Sequence, residues 1–288
     1  MMKKIILTAL AACCLTVGAQ AQLLYKVTAD SLAKPSYIVA THDYLNPMGY
    51  VDRIDSLKEA MTETDQVYFD IDRTANATQL KEAEQLPAGK TLASLLNAQQ
   101  IQQLDQFLKK HTEVSWKSSY NQKRYNGRRP LSVLKDFMQL LFVSSHMGEY
   151  DPTHTFAQYF EAQAKKNNEP TGSVFYPDQY MDFIKNVPLN EQAQMLVDFL
   201  EHPDKALANI DKTVAAYKAK DMEAASTALE RQVGEERVDE LLDEPTETMV
   251  RVMHEKPTLF VLPCYLLGGE GGILNRLKDA GLQVEGVD

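Results

Sequence analysis

Two short runs concentrate the side chains that can do chemistry. His42 and Asp43 directly follow an apolar run, and Asp70 and Asp72 stand two apart in QVYFDID at 66–72. In an extended strand, residues i and i+2 point to one face, so this spacing predicts both carboxylates on one side of a sheet. If that face meets the end of the His42–Asp43 run, an imidazole and several carboxylates converge, a donor set suited to a divalent metal. The plainer reading is that aspartates at strand ends cap neighbouring backbone groups. His111, His146, His154, His202 and His254 fall on or near polar helix ends and show no metal-ligand spacing. There is no Gly-x-Ser-x-Gly elbow. The run Gly268-Gly269-Glu270-Gly271-Gly272 lacks the Lys-Ser/Thr of a P-loop and holds a glutamate, so it reads as a tight turn.

The elements that must position these residues follow from hydrophobic periodicity. Leu23–Thr28 and Tyr37–Thr41 read as strands joined across Lys34-Pro35-Ser36. Val51, Ile54, Leu57, Ala60 and Met61 recur at helical spacing, and Gln66–Asp72 alternates as a strand. A polar stretch to Gln85 precedes helical segments at Leu92–Asn97 and Ala98–Lys110. Pro130 opens a helix to about Phe142, since its missing N–H is tolerated in a first turn. Thr155–Lys166, Asn190–Glu201 and Lys205–Lys218 follow, then Met222–Gln232 capped by Asp221, and Thr246–His254. A buried strand at Leu259–Pro263, the glycine turn, a helix from Ile273 and a strand at Gln283–Val287 close the chain. The expected class is α/β: a mixed sheet from the N- and C-terminal strands, with a large helical middle, in one domain over 22–288.

Lys3 and Lys4 precede an apolar run from Ile5 to Val17 and the small-x-small triplet Ala19-Gln20-Ala21. This is the layout of an export signal over residues 1–21, cut between Ala21 and Gln22, and it implies a periplasmic or secreted protein. Leu10-Ala11-Ala12-Cys13 also fits a lipobox, which would leave an envelope lipoprotein anchored at Cys13. Cys13 and Cys14 leave with a cleaved leader, so Cys264 stands alone and reads as a small core residue. No later segment is apolar enough to span a membrane. The 288 residues are 44% hydrophobic, enough for a sizeable core, and their net charge of −10 argues against a nucleic-acid partner.

Taken together, LLYKVTADSLAKPSYIVATHDY at 23–44, QVYFDID at 66–72, LPAGKTLASLLNAQQIQQLDQFL at 86–108, VPLNEQAQML at 187–196 and FVLPCYLLGGEGGILNRLKDAGLQVEGV at 260–287 resemble the TraB/GumN family, related to the Tiki metalloproteases. The resemblance implies a cleft that in family members holds a metal-dependent hydrolytic site built from two Gly-x-x-His motifs and an acidic residue. The first motif falls on Ala40-Thr41-His42-Asp43, placing Asp43 at the metal-type histidine. The strand motif ending in Glu-x-Asp falls on Asp70-Ile71-Asp72, and the Gly-Leu-Glu segment on Gly172-Ser173-Val174. An Arg-Asn pair falls on Pro245-Thr246, and the second histidine on Leu266. The implied remnant metal set is His42, Asp43 and Asp70. The selective change of polar positions predicts a retained scaffold that binds a ligand or a protein or peptide partner in the old cleft and catalyses nothing; a divalent Zn or Mn is expected only where the remnant site survives. The alternative is a metal-dependent peptidase working with His42, Asp43, Asp70 and Asp72.

Overall fold

The structure is a computed structural model and describes residues 22–146, 154–233 and 235–287. The expected leader with Ala21, and the alternative anchor Cys13, lie outside the described residues, and Gln22 is the first within them.

Six strands form one mixed sheet: β1 (Leu24–Thr28), β2 (Ser36–Thr41), β3 (Gln66–Phe69), β4 (Thr171–Ser173), β5 (Thr258–Pro263) and β6 (Gln283–Gly286). Their spatial order is β4-β3-β5-β2-β1-β6. The first four of that order run parallel, while β1 is antiparallel to both β2 and β6. The terminal strands therefore share one sheet, as the sequence predicts. Strands β2 and β5 are buried at every position, which matches the apolar runs 37–40 and 259–263 that form most of them: a parallel strand covered on both faces has no polar side.

Helices α1 (Leu57–Glu63), α2 (Ala77–Ala83), α3 (Leu92–Leu95), α4 (Ala98–Thr112), α5 (Ser119–Tyr125), α6 (Pro130–Ser145) and α7 (Phe156–Asn167) precede β4. Helices α8 (Pro177–Asn186), α9 (Leu189–Glu201), α10 (Pro203–Lys218), α11 (Met222–Val233) and α12 (Glu235–Glu255) lie between β4 and β5, and α13 (Ile273–Asp279) between β5 and β6. Thr91, Asn97 and Thr155 close reciprocal capping boxes at α3, α4 and α7, each satisfying N–H groups that a helix start leaves unpaired. One apolar cluster surrounds the sheet. A second, built on Leu104, Phe107, Trp116, Phe137, Leu196 and Phe199, knits α4, α6 and α9 together.

Three sequence expectations are corrected. Strand β3 stops at Phe69, because Asp72 turns the chain by accepting the N–H of Ala75 at 2.8 Å. Residues 51–61 are not one helix. A short 3₁₀ turn at Val51–Arg53 gives way to extended backbone at Ile54 before α1 begins. Helix α12 runs through Pro245 instead of starting after it. Leu242, Thr246, Met249 and Met253 form a buried stripe at i, i+4, i+7 and i+11, which seats both halves on the core despite the missing N–H.

Candidate functional site

Strands β3, β5 and β2 are parallel neighbours, so the residues that follow them converge at one edge of the sheet. These are Asp70, Cys264 with Tyr265, and His42 with Asp43. In open parallel sheets the carboxyl edge is where ligands bind.

Asp43 is exposed and accepts a long hydrogen bond of 3.4 Å from the Tyr265 hydroxyl. Burial pushes the Asp70 carboxyl above the usual carboxylate range. Arg73, 3.6 Å away, offsets part of that, and the Asp43 charge adds to it. Burial also raises the Tyr265 phenol well above its ordinary value, with Asp43 and then Asp70 adding to the effect. Asp43, Asp70 and Tyr265 thus form one electrostatic group. Cys264 is fully buried beside them, and burial raises its thiol, so it behaves as an inert core residue.

His42 belongs to different surroundings. It is only 3% exposed, and its ring lies 5.7 Å from Tyr217 and 5.8 Å from Tyr44. The Tyr44 N–H donates to Nδ1 at 3.2 Å, which fixes the proton of a neutral ring on Nε2. Thr213 Oγ1, 3.0 Å from Nε2, accepts that proton's hydrogen bond and donates its own to the carbonyl of Ile210 at 2.8 Å. Burial lowers the imidazole from 6.5 to about 4; Asp43 works against this and Lys218 adds to it. Both ring nitrogens are therefore engaged.

Asp72 is separated from the group as well. Its Oδ1 accepts from Ala75, and its Oδ2 accepts from the Thr171 hydroxyl at 2.6 Å on neighbouring β4. The strand reading placed it beside Asp70 on one face, but the turn sends the two carboxylates to different partners. Val174 and Leu266, the positions matched to a family acid and a family histidine, are buried apolar residues. Pro245 is inside α12, and Thr246 donates to the carbonyl of Leu242 at 2.7 Å.

The glycine-rich turn is filled from within. Gly269 N–H donates to Glu223 Oε2 at 2.9 Å, so a carboxylate of α11 already stands where an anion would bind. A Cβ on Gly268 would come within 2.3 Å of the Met222 carbonyl oxygen. The glycine there serves close backbone approach, as the tight-turn reading predicts.

The model of the TraB/PrgY/gumN family matches residues 23–286, nearly the whole chain. The chain belongs to this family. No curated protein and no solved structure matches it. Within this family member, the described side chains do not fit a divalent-metal centre. A Zn or Mn hydrolase site takes three or more protein donors and an open position, whereas both ring nitrogens of His42 are engaged and each oxygen of Asp72 accepts a hydrogen bond elsewhere. Among the described residues, no three His, Cys, Asp or Glu side chains form a group that could hold a metal ion.

Sequence reasoning singled out His42, Asp43, Asp70 and Asp72; the fold brings Asp43 to Asp70 and engages the other two elsewhere. It missed Tyr265, although that residue stands in the C-terminal motif directly after a buried strand. It also missed Thr213, whose only link to His42 is a tertiary contact across 171 residues.

Proposed function

We propose that this TraB/PrgY/gumN family member is an exported protein that binds a partner protein or peptide at the carboxyl edge of its sheet and catalyses no reaction. Periplasmic or secreted export rests on Lys3, Lys4, the Ile5–Val17 run and Ala19-Gln20-Ala21. The loss of catalysis rests chiefly on His42, a buried neutral ring with both nitrogens engaged. The exposed Asp43, beside Tyr265 and Asp70, leaves a polar rim suited to recognising a partner's N–H groups or cations.

The test is elemental mass spectrometry of the chain from Gln22 onward, purified without a His tag, with and without added Zn²⁺, Mn²⁺ or Co²⁺. The scaffold reading expects no stoichiometric metal. It also expects no peptide hydrolysis that Asp43→Ala and Asp70→Ala remove.

The proximity of Asp43 and Asp70 favours one competing reading, a metal-dependent peptidase with a remodelled site. That reading requires near-stoichiometric metal and turnover, both lost in His42→Ala. Finding them would overturn the scaffold.

A further inference from the structure

Charge is unevenly placed along this chain. Residues 98–146 hold eight Lys or Arg against three Asp or Glu, whereas the rest of the chain holds 22 against 37. The basic stretch comprises α4, α5 and α6. Some of its cations are engaged internally: Arg128 bridges Glu84 at 2.9 Å and Asp136 at 2.6 Å, and Lys109 pairs with Asp105 at 2.7 Å.

Helix α5 is arranged differently. Its inner side carries Asn121 and Tyr125, both buried, and Asn121 Nδ2 donates to the carbonyls of Val114 and Ser115 at 3.1 Å. Its outer side carries Tyr120, Lys123 and Arg124 at i, i+3 and i+4, with Lys117 three residues before Tyr120. Tyr120 is 61% exposed, more than any other large apolar or aromatic side chain described. Arg124 donates to the Tyr120 hydroxyl at 3.0 Å and lies 3.8 Å from Asp136. Lys117 and Lys123 are exposed, and among the described residues no ion pair involves either.

We propose that the outer face of α5 together with the turn before it, formed by Lys117, Tyr120, Lys123 and Arg124, docks on an anionic lipid surface. The remainder of the chain is net acidic and repelled by such a surface, so the charge asymmetry orients the α4–α6 stretch towards it. A tyrosine ring is amphipathic and sits at headgroup level, between water and acyl chains. The flanking lysines keep their ammonium groups in the phosphate layer, and Arg124, half-exposed beside the Tyr120 ring, adds positive charge next to it. The outward face of a helix is convex. It can lay these side chains on a plane, but it gives an extended peptide no groove for its side chains. Helix α5 lies outside the carboxyl edge, so the docking holds whether or not that edge is catalytic.

The experiment is co-sedimentation of the chain from Gln22 onward with vesicles of phosphatidylglycerol and phosphatidylcholine in equal parts. Phosphatidylcholine vesicles and soluble poly-L-glutamate serve as comparisons. The expected result is binding to the anionic vesicles alone, weakened by salt. The pair Lys117→Gln and Lys123→Gln should reduce it about 25-fold, at about fivefold per cation, with an unchanged melting temperature. Tyr120→Ser should weaken it further without changing the salt dependence. Three results would overturn the proposal: no sedimentation with anionic vesicles, sedimentation that the lysine pair does not alter, or binding to poly-L-glutamate with none to vesicles. The last would assign the face to an acidic protein segment.

Discussion

His42 Nε2 and Thr213 Oγ1 lie 3.0 Å apart, joining the end of β2 to the middle of α10. The neighbouring Tyr217, also on α10, donates its hydroxyl to the Ala40 carbonyl at 3.1 Å, so two side chains one turn apart tie the helix to the strand end. The imidazole that the sequence offers as a catalytic candidate thus contributes to the fold by holding a helix over the sheet edge.

The first prediction concerns that tie. Thr213→Val keeps the shape of the side chain but removes the acceptor of the buried Nε2–H. An unsatisfied buried donor costs about 1–3 kcal/mol. Urea unfolding should show a loss of that size near neutral pH. A loss below about 0.5 kcal/mol would mean that the ring finds another partner, and would reopen Nε2 for chemistry.

The second prediction is a pH dependence with a defined sign. His42 titrates at about 4 in the folded chain against an ordinary value of 6.5. Between these values the unfolded chain binds the proton and the folded chain does not, so stability rises with pH across the window. The contribution is complete above the unfolded value and is lost as pH falls towards the folded one. It amounts to about 3–4 kcal/mol at most, from about 1.4 kcal/mol per pH unit. Asp70 acts oppositely: its raised carboxyl favours the fold at low pH and loses that effect as pH rises. The total profile mixes the two, and the difference between the parent and His42→Gln isolates the histidine. Urea midpoints of the two should converge as the pH falls through this window. Parallel curves would contradict a buried neutral His42.

How far the sequence reveals this arrangement depends on which interactions are local. Strands β2 and β5 are legible because each is built on a continuous apolar run, 37–40 and 259–263, and the terminal strands do share a sheet. Asp221 is legible as a cap, and its carboxylate accepts the Ala224 N–H at 3.0 Å. Strand β4, only three residues long and containing Gly172, has no periodicity to detect; it exists because β3 offers it a partner. The Asp70–Asp72 spacing is compatible with either a strand face or a turn. The Thr171 hydroxyl on β4, which holds Asp72 away from Asp70, lies 99 residues along the chain. Tyr265 meets Asp43 across 222 residues, beyond the reach of any window along the sequence.

The last prediction separates a packing turn from an anion cradle. Gly268 faces the first turn of α11, where an added Cβ would meet the Met222 carbonyl oxygen at 2.3 Å and the Glu223 nitrogen at 2.6 Å. Both are backbone atoms anchored in a helix, so neither can give way without moving α11 from the 3₁₀ turn at Cys264–Leu266. Gly268→Ala should therefore cost about 3 kcal/mol or more, at the upper end for one added methyl group, and lower the melting temperature. Glu223→Gln tests the other half of the argument. It removes the charge that accepts from Gly269 N–H but keeps an oxygen there, so the fold should weaken by about 1 kcal/mol. If this turn were a phosphate site, Glu223→Gln would create tight binding of inorganic phosphate, measurable by calorimetry. A packing turn closed by its own carboxylate gives no heat of binding in either protein.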